Sequence, residues 1–125
     1  WKKINFPADA KDILTVGAIS PSGVNAAFSG VGPTQDGRVK PDVMAYGSPT
    51  AVISGRGTIV DEMGTSFSAP LISGMVACLW QALPDKSARE IISLVIASGN
   101  NATTPNNVFG YGVPDFWKAY NSGRK

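Results

Sequence analysis

"EMGTSFSAP", residues 62–70, joins two apolar runs through a glycine, two hydroxyls, a phenylalanine, a third hydroxyl and a proline. On its C-terminal side Leu71, Met75, Ala77, Cys78, Leu79 and Ala82 recur at helical spacing, and Pro84 follows. They predict a helix over 67–83, apolar almost all round and therefore buried. On its N-terminal side "TAVISGRGTIVDEM" (50–63) reads as two short strands around a Gly55-Arg56-Gly57 turn, a hairpin. The quoted stretch is thus the corner between strand and helix.

Gly64 lets the backbone turn sharply and lets another molecule approach with no Cβ in the way. Ser66 falls at the helix start, where unpaired N–H groups point outward and the helix dipole adds partial positive charge. An oxyanion formed by attack of Ser66 would lie beside the Ser66 N–H, and Thr65 adds a hydroxyl donor. Pro70 removes an N–H and stiffens the first turns. The plain alternative is a cap, since Ser and Thr commonly cap helices. Local residues leave both readings open. The chain contains no histidine, so nothing within it is the usual base for a serine nucleophile.

Working outward, "DILTVGAIS" (12–20) is short, apolar and β-branched, and reads as a strand. "SGVGPTQDGRVKPD" (29–42) is a loop by its glycines and prolines. "DVMAYG" (42–47) is a second strand ending in glycine. Gly74 lowers helix propensity by about 1 kcal/mol against alanine, a cost usually accepted where another backbone comes close. Ser87-Ala88-Arg89-Glu90 has the form of a capping box. It opens a helix marked by Ile91, Leu94, Val95 and Ser98 and closed by Gly99-Asn100. "VPDFWKAYNS" (113–122) predicts a last short helix begun by Pro114. Strands preceding helices, with glycine-terminated parallel-type strands, give an α/β layer architecture.

The 125 residues suffice for one modest core, and 43% hydrophobic with 16% charged residues is an ordinary globular composition. A net charge of +2, with scattered Lys and Arg, argues against nucleic acid as a partner. No apolar run is long enough to span a membrane. The single cysteine, Cys78, lies in an apolar helical stretch and reads as a buried, inert thiol. The chain opens on Trp1 rather than Met, and reads as a piece of a longer product.

Four motifs in one order resemble the subtilases, the subtilisin-like serine proteases. "GTSFSAP" is similar to their serine motif. "FPADAKDILTVGAIS" is similar to their Pro-Ala segment leading into a Val-Gly-Ala strand. "AFSGVGPTQDGRVKPDVMAYG" resembles their Phe-Ser-x-x-Gly-Pro stretch followed by Lys-Pro-Asp-Val-x-Ala-x-Gly. "FGYGVPDFWKAY" resembles their Gly-Tyr-Gly-x-x-Asp closure. Tyr46 departs from the proline usual before that family's glycine.

The resemblance implies that residues 1–125 form the C-terminal part of a subtilisin-like catalytic domain. Its fold would be a portion of a doubly wound parallel sheet with a buried helix carrying the serine. It implies a serine endopeptidase with a polypeptide substrate, in which Ser66 attacks the scissile carbonyl and Gly64 and Thr65 support the turn. In subtilases the triad runs Asp, His, Ser along the chain. The aspartate, the histidine and an oxyanion asparagine are therefore expected upstream of Trp1, and the 125 residues alone are expected to be inactive. A part of a non-catalytic subtilase-like binding or scaffold domain is the alternative. Phe28 and Asn5 fall near the substrate cleft by resemblance. The family's habit is secretion or the cell envelope.

No cofactor is required by this reading, although a structural calcium or other cation is allowed, since some subtilases bind one near Asp42. A calcium ion needs six or more oxygens, and Asp42 with the carbonyls of residues 8–13 are the only candidates. A carboxylate accepting backbone N–H bonds is the simpler role for Asp42. Asp61 and Glu62, just before the serine motif, could suggest the histidine-free arrangement of the sedolisins, but that family's acids lie far upstream of the serine. A solvated loop pair fits better. Asn101-Ala102-Thr103 is a glycosylation sequon by pattern. Separated from the rest of such a domain, the piece would expose a strand edge and apolar faces, inviting dimerisation or strand exchange.

Overall fold

The computed structural model of the protein describes residues 3–4, 6–26, 29–47, 50–62 and 64–124, with the backbone alone for Thr50, Val52 and Glu62. Two strands, β1 (Val16–Ile19) and β2 (Val43–Tyr46), form a parallel pair in register Val16 with Val43 and Ile19 with Tyr46. Both are short apolar runs, Val-Gly-Ala-Ile and Val-Met-Ala-Tyr, buried along most of their length, as parallel strands covered on their faces require. The strand expected over 12–20 is confined to its apolar centre. Asp12, at φ 59, turns the backbone ahead of it.

Strands β3 (Thr50–Ile53) and β4 (Ile59–Glu62) form the expected antiparallel hairpin. Its turn is held by Ser54 N–H on the Thr58 carbonyl at 2.7 Å and Gly57 N–H on the Ser54 carbonyl at 2.9 Å. Gly57 takes φ +79 there, a conformation that glycine adopts without steric cost.

Helix α1 (Thr65–Ala82) begins two residues earlier than expected and packs on both β1 and β2. Helix α2 (Ala88–Ala97) carries the complete capping box, Glu90 N–H to Ser87 Oγ at 3.2 Å and Ser87 N–H to Glu90 Oε1 at 3.0 Å. Helix α3 (Phe116–Gly123) is capped by Asp115, whose carboxylate accepts the Lys118 N–H at 3.0 Å. Pro114 therefore precedes the cap rather than opening the helix. Val43, Ala45, Ile72, Leu79, Leu83, Ile91, Val95 and Ala119 make one core between the parallel pair and the three helices.

Three expectations about the helices need correction. Helix α1 is not enclosed on every side: Ser68, Ile72 and Leu79 are buried, whereas Leu71, Met75 and Trp80 are 45%, 47% and 41% exposed. Only one face has the sheet and the other two helices against it. Cys78 consequently lies exposed rather than buried, and no backbone approaches Gly74 among the described residues. The expected close of α2 at Gly99-Asn100, by contrast, stands. Ser98 ends α2 in a right-handed conformation, and a Cβ on Gly99 would run into the Tyr111 carbonyl.

That carbonyl belongs to the closing Gly110-Tyr111-Gly112 segment, which lies along the free side of β2. Tyr111 N–H reaches the Asp42 carbonyl at 2.7 Å, and Met44 N–H reaches the Gly112 carbonyl at 3.0 Å. Gly110 and Gly112 have positive φ, and a Cβ on Gly110 would meet the Pro41 carbonyl. The segment thus follows β2 at backbone distance, which only glycine permits at these positions.

Candidate active site

Three backbone bonds tie the serine corner to the sheet. Gly47 N–H donates to the Ile19 carbonyl at 3.1 Å, at the ends of β1 and β2. Gly64 N–H donates to the Gly47 carbonyl at 2.8 Å, and Phe67 N–H donates back to the Gly64 carbonyl at 3.0 Å. The helix therefore starts where the two parallel strands stop. Sites in open α/β sheets collect at such carboxyl ends of strands.

Gly64 is the residue before the helix, at φ 147 and ψ 152, and no side-chain hydrogen bond caps α1. Thr65 and Ser66 are the first two helical residues. Ser68 does not cap either: its hydroxyl donates within the helix to the Thr65 carbonyl at 3.0 Å and is fully buried. The reading of Gly-Thr-Ser as a cap fails on this geometry. Cap hydroxyls sit one position earlier and accept an N–H two or three residues on.

What remains is an exposed serine with unengaged groups. Among the described residues neither the Ser66 hydroxyl nor its N–H has a hydrogen-bond partner. No acidic side chain occupies the first turn of α1, so the partial positive charge of the helix start is uncompensated there. Pro70 lies in the second turn and supplies no N–H to the Ser66 carbonyl four residues back. Together these leave an exposed hydroxyl beside a helix-start N–H that no described residue engages.

Asp61 is exposed, but it lies with Glu62 on strand β4, ahead of the helix start, rather than in the loop expected for them. Asn5 and Phe28, the expected cleft residues, lie outside the described residues. Asp42 sits at the opposite end of β2 from Ser66 and takes the simpler role expected of it: Oδ2 accepts the Thr15 N–H at 2.7 Å. The same oxygen also binds Lys40 Nζ at 2.7 Å, a buried ion pair. Sequence reasoning missed Lys40, which lies with Asp42 in the irregular segment just before β2, where no strand periodicity marks the pair. It missed Gly47 as well, whose mark was its position at the end of the second apolar strand.

The Subtilase family profile matches residues 2–112. The chain belongs to the subtilase family. It is 32% identical over 96 residues to subtilisin-like protease SBT6.1 of Arabidopsis thaliana, covering 72% of this chain and 9% of that protein. Over 108 residues it is 32% identical to mycosin-1 of Mycobacterium tuberculosis, covering 82% of this chain and 24% of that one. The crystal structure of MycP1 with its N-terminal propeptide removed superposes with a TM-score of 0.73 at 30% identity, over 94% of this chain and 39% of that chain. The α/β architecture is thus that of subtilisin-like proteases, and the chain spans a minor part of the length of these relatives. Among the described residues no helix is long and apolar enough to cross a membrane.

Proposed function

We propose that residues 1–125 carry the nucleophile of a serine endopeptidase, as part of a larger subtilisin-like catalytic domain. The observation that carries this is Ser66: exposed, unbonded, inside the first turn of α1 rather than capping it, and clamped to the ends of β1 and β2. Ser66 Oγ forms a bond to the carbonyl carbon of the scissile peptide while its proton passes to a base. The oxyanion is held by the Ser66 N–H and the helix start, the leaving amine departs protonated, and water then clears the acyl group.

The chain has no imidazole, so the base comes from outside these residues, and the 125 residues alone do not turn over substrate. The aspartate, the histidine and an asparagine that shares the oxyanion are supplied upstream of Trp1. Gly64 and Thr65 shape the approach, and Asn5 and Phe28 line the cleft. The exposed strip of Leu71, Met75 and Cys78 on α1 is covered by the rest of that domain. The family's habit supports secretion or the cell envelope as the place of work.

A fluorophosphonate probe on the full-length protein tests this reading. Peptide mapping should find the label on Ser66, and Ser66→Ala should abolish it. A well-folded full-length protein that takes no label would instead fit a non-catalytic subtilase-like scaffold.

A further inference from the structure

The end of β2 away from Ser66 is built around a charge. Lys40 is 5% exposed and Asp42 is 7% exposed. Lys40 Nζ donates to Asp42 Oδ2 at 2.7 Å and to the Ile13 carbonyl at 3.1 Å. Thr15 adds its N–H to the same Oδ2 and its hydroxyl to the Ala8 carbonyl, both at 2.7 Å. Arg38 Nη2 donates to the Asp9 carbonyl at 2.7 Å, while Nε is held by the Asp36 carboxylate at 3.0 Å.

These acceptors, Asp42 Oδ2 and the carbonyls of Ala8, Asp9 and Ile13, are four of the oxygens that Asp42 and residues 8–13 offer to a structural cation. They do not fit one. Calcium takes about six to eight oxygens, and the three carbonyls and Asp42 Oδ2 are each already accepting from a nitrogen or hydroxyl of the chain. Two of the four accept from an ammonium. A metal ion entering here would face that buried positive charge in a low-dielectric corner, where like charges repel far more strongly than in water.

We propose that Lys40 is a tethered cation that takes the place of a structural metal ion at this corner. Its ammonium does the three things such an ion would do. It neutralises the buried Asp42 carboxylate, which unpaired would be strongly destabilising. It ties the carbonyl of Ile13, on the loop leading into β1, to the residues that open β2. It thereby steadies Asp42, whose own carbonyl holds Tyr111 of the closing glycine segment at 2.7 Å. The guanidinium of Arg38 fixes the outer part of the same loop at Asp9, so two permanent positive charges replace exchangeable ones. The proposal does not depend on the role of Ser66.

Two measurements on the full-length protein decide it. The first is lysine acylation read by mass spectrometry on the wild type, in chelator and in millimolar calcium. Lys40 should label at least about tenfold more slowly than exposed Lys11 and Lys118, as a group reached only through local opening does, and equally slowly in both solutions. Labelling as fast as Lys11, or labelling that speeds up in calcium as the ammonium is displaced, overturns the proposal.

The second is the rise in Tm that calcium gives over chelator, compared between wild type and Asp42→Asn. The wild-type rise should be no larger than the variant's, because no metal uses Asp42; a larger wild-type rise overturns the proposal. Lys40→Met should lower Tm by about 10 °C or more in either solution, because it strands the buried carboxylate, and an unchanged Tm counts against the tethered charge. If a variant fails to fold, the wild-type acylation pattern decides alone.

Discussion

Gly64 donates its N–H to the carbonyl of Gly47 across 2.8 Å, and neither residue has room or freedom for a side chain. A Cβ on Gly47 would lie 2.6 Å from Ala18 Cβ and 2.9 Å from the Gly64 carbonyl oxygen, while Gly64 holds φ +147. One glycine ends the second parallel strand and the other precedes the helix that bears Ser66. Their contact fixes the height of Ser66 above the sheet. The two glycines are 17 residues apart and separated by a whole hairpin, so the helix start is placed by the parallel pair and not by the strand that leads into it.

Gly47→Ala tests that relationship. The new methyl would have to push α1 off the end of β1, because Ala18 is itself fully buried and cannot give way. Overpacking of this kind costs about 1–3 kcal/mol, read as a lowered urea midpoint. If Ser66 is the nucleophile, fluorophosphonate labelling of the full-length protein should fall more than global stability does. Labelling that tracks the folded fraction alone would show that the contact is structural only.

Much of this could be read in the chain. The hairpin, the capping box and the parallel pair each announce themselves through neighbouring residues, by a Gly-Arg-Gly turn, by Ser87 with Glu90, and by two short apolar runs. The errors arose where the deciding partner is distant in sequence. Gly74 looked like a site of close backbone approach, yet the glycine so approached is Gly99, by the carbonyl of Tyr111, twelve residues on. Helix α1 reads as buried because it is apolar all round, but periodicity cannot say which flank has a neighbour. Lys40 looked like a loop lysine, because burial of its ammonium depends on a carbonyl of residue 13 that no local pattern reveals.

The capping box of α2 carries its own prediction. Ser87→Ala removes the hydroxyl that receives the Glu90 N–H and should cost about 1 kcal/mol. The Glu90 carboxyl is held below its ordinary value chiefly by the Ser87 N–H, then by the Ser87 hydroxyl, with Lys86 adding charge. In Ser87→Ala the hydroxyl is lost while the backbone bond can persist. The Glu90 titration midpoint, followed by NMR, should therefore rise part of the way back and no further. A midpoint that returns fully would show that the whole reciprocal pair opens.

The loop from Thr34 to Arg38 predicts a pH dependence. Asp36 is lowered from 3.8 to about 2, first by the Thr34 hydroxyl and then by Arg38. A lowered carboxyl favours the folded loop above its unfolded value and loses that advantage as pH falls through the folded one. The turn should therefore hold from neutral pH to below 3.8 and loosen only toward 2. Thr34→Val should move the Asp36 midpoint up, measured by carboxyl carbon shifts against pH. Because Asp36 is solvent-exposed, the global unfolding midpoint should change little over the same range.

The exposed stripe of α1 makes the last prediction. Leu71 and Met75 are four residues apart and share a face with neighbouring Cys78, so a continuous apolar strip runs along a helix whose other side is packed on the sheet. Patches of this kind on an isolated chain seek a cover. The 125-residue chain, studied alone, should sediment as a dimer or larger at micromolar concentration. Met75→Lys places a charge in the middle of the strip at a half-exposed position, where a long side chain can keep its ammonium in water. It should shift the distribution toward monomer with the unfolding midpoint of the core unchanged. A wild-type chain that sediments as a single monomeric boundary would show that the strip is tolerated in water. If, as proposed, the rest of the domain covers residue 75 in the full-length protein, the same substitution there should leave the association state alone and lower stability.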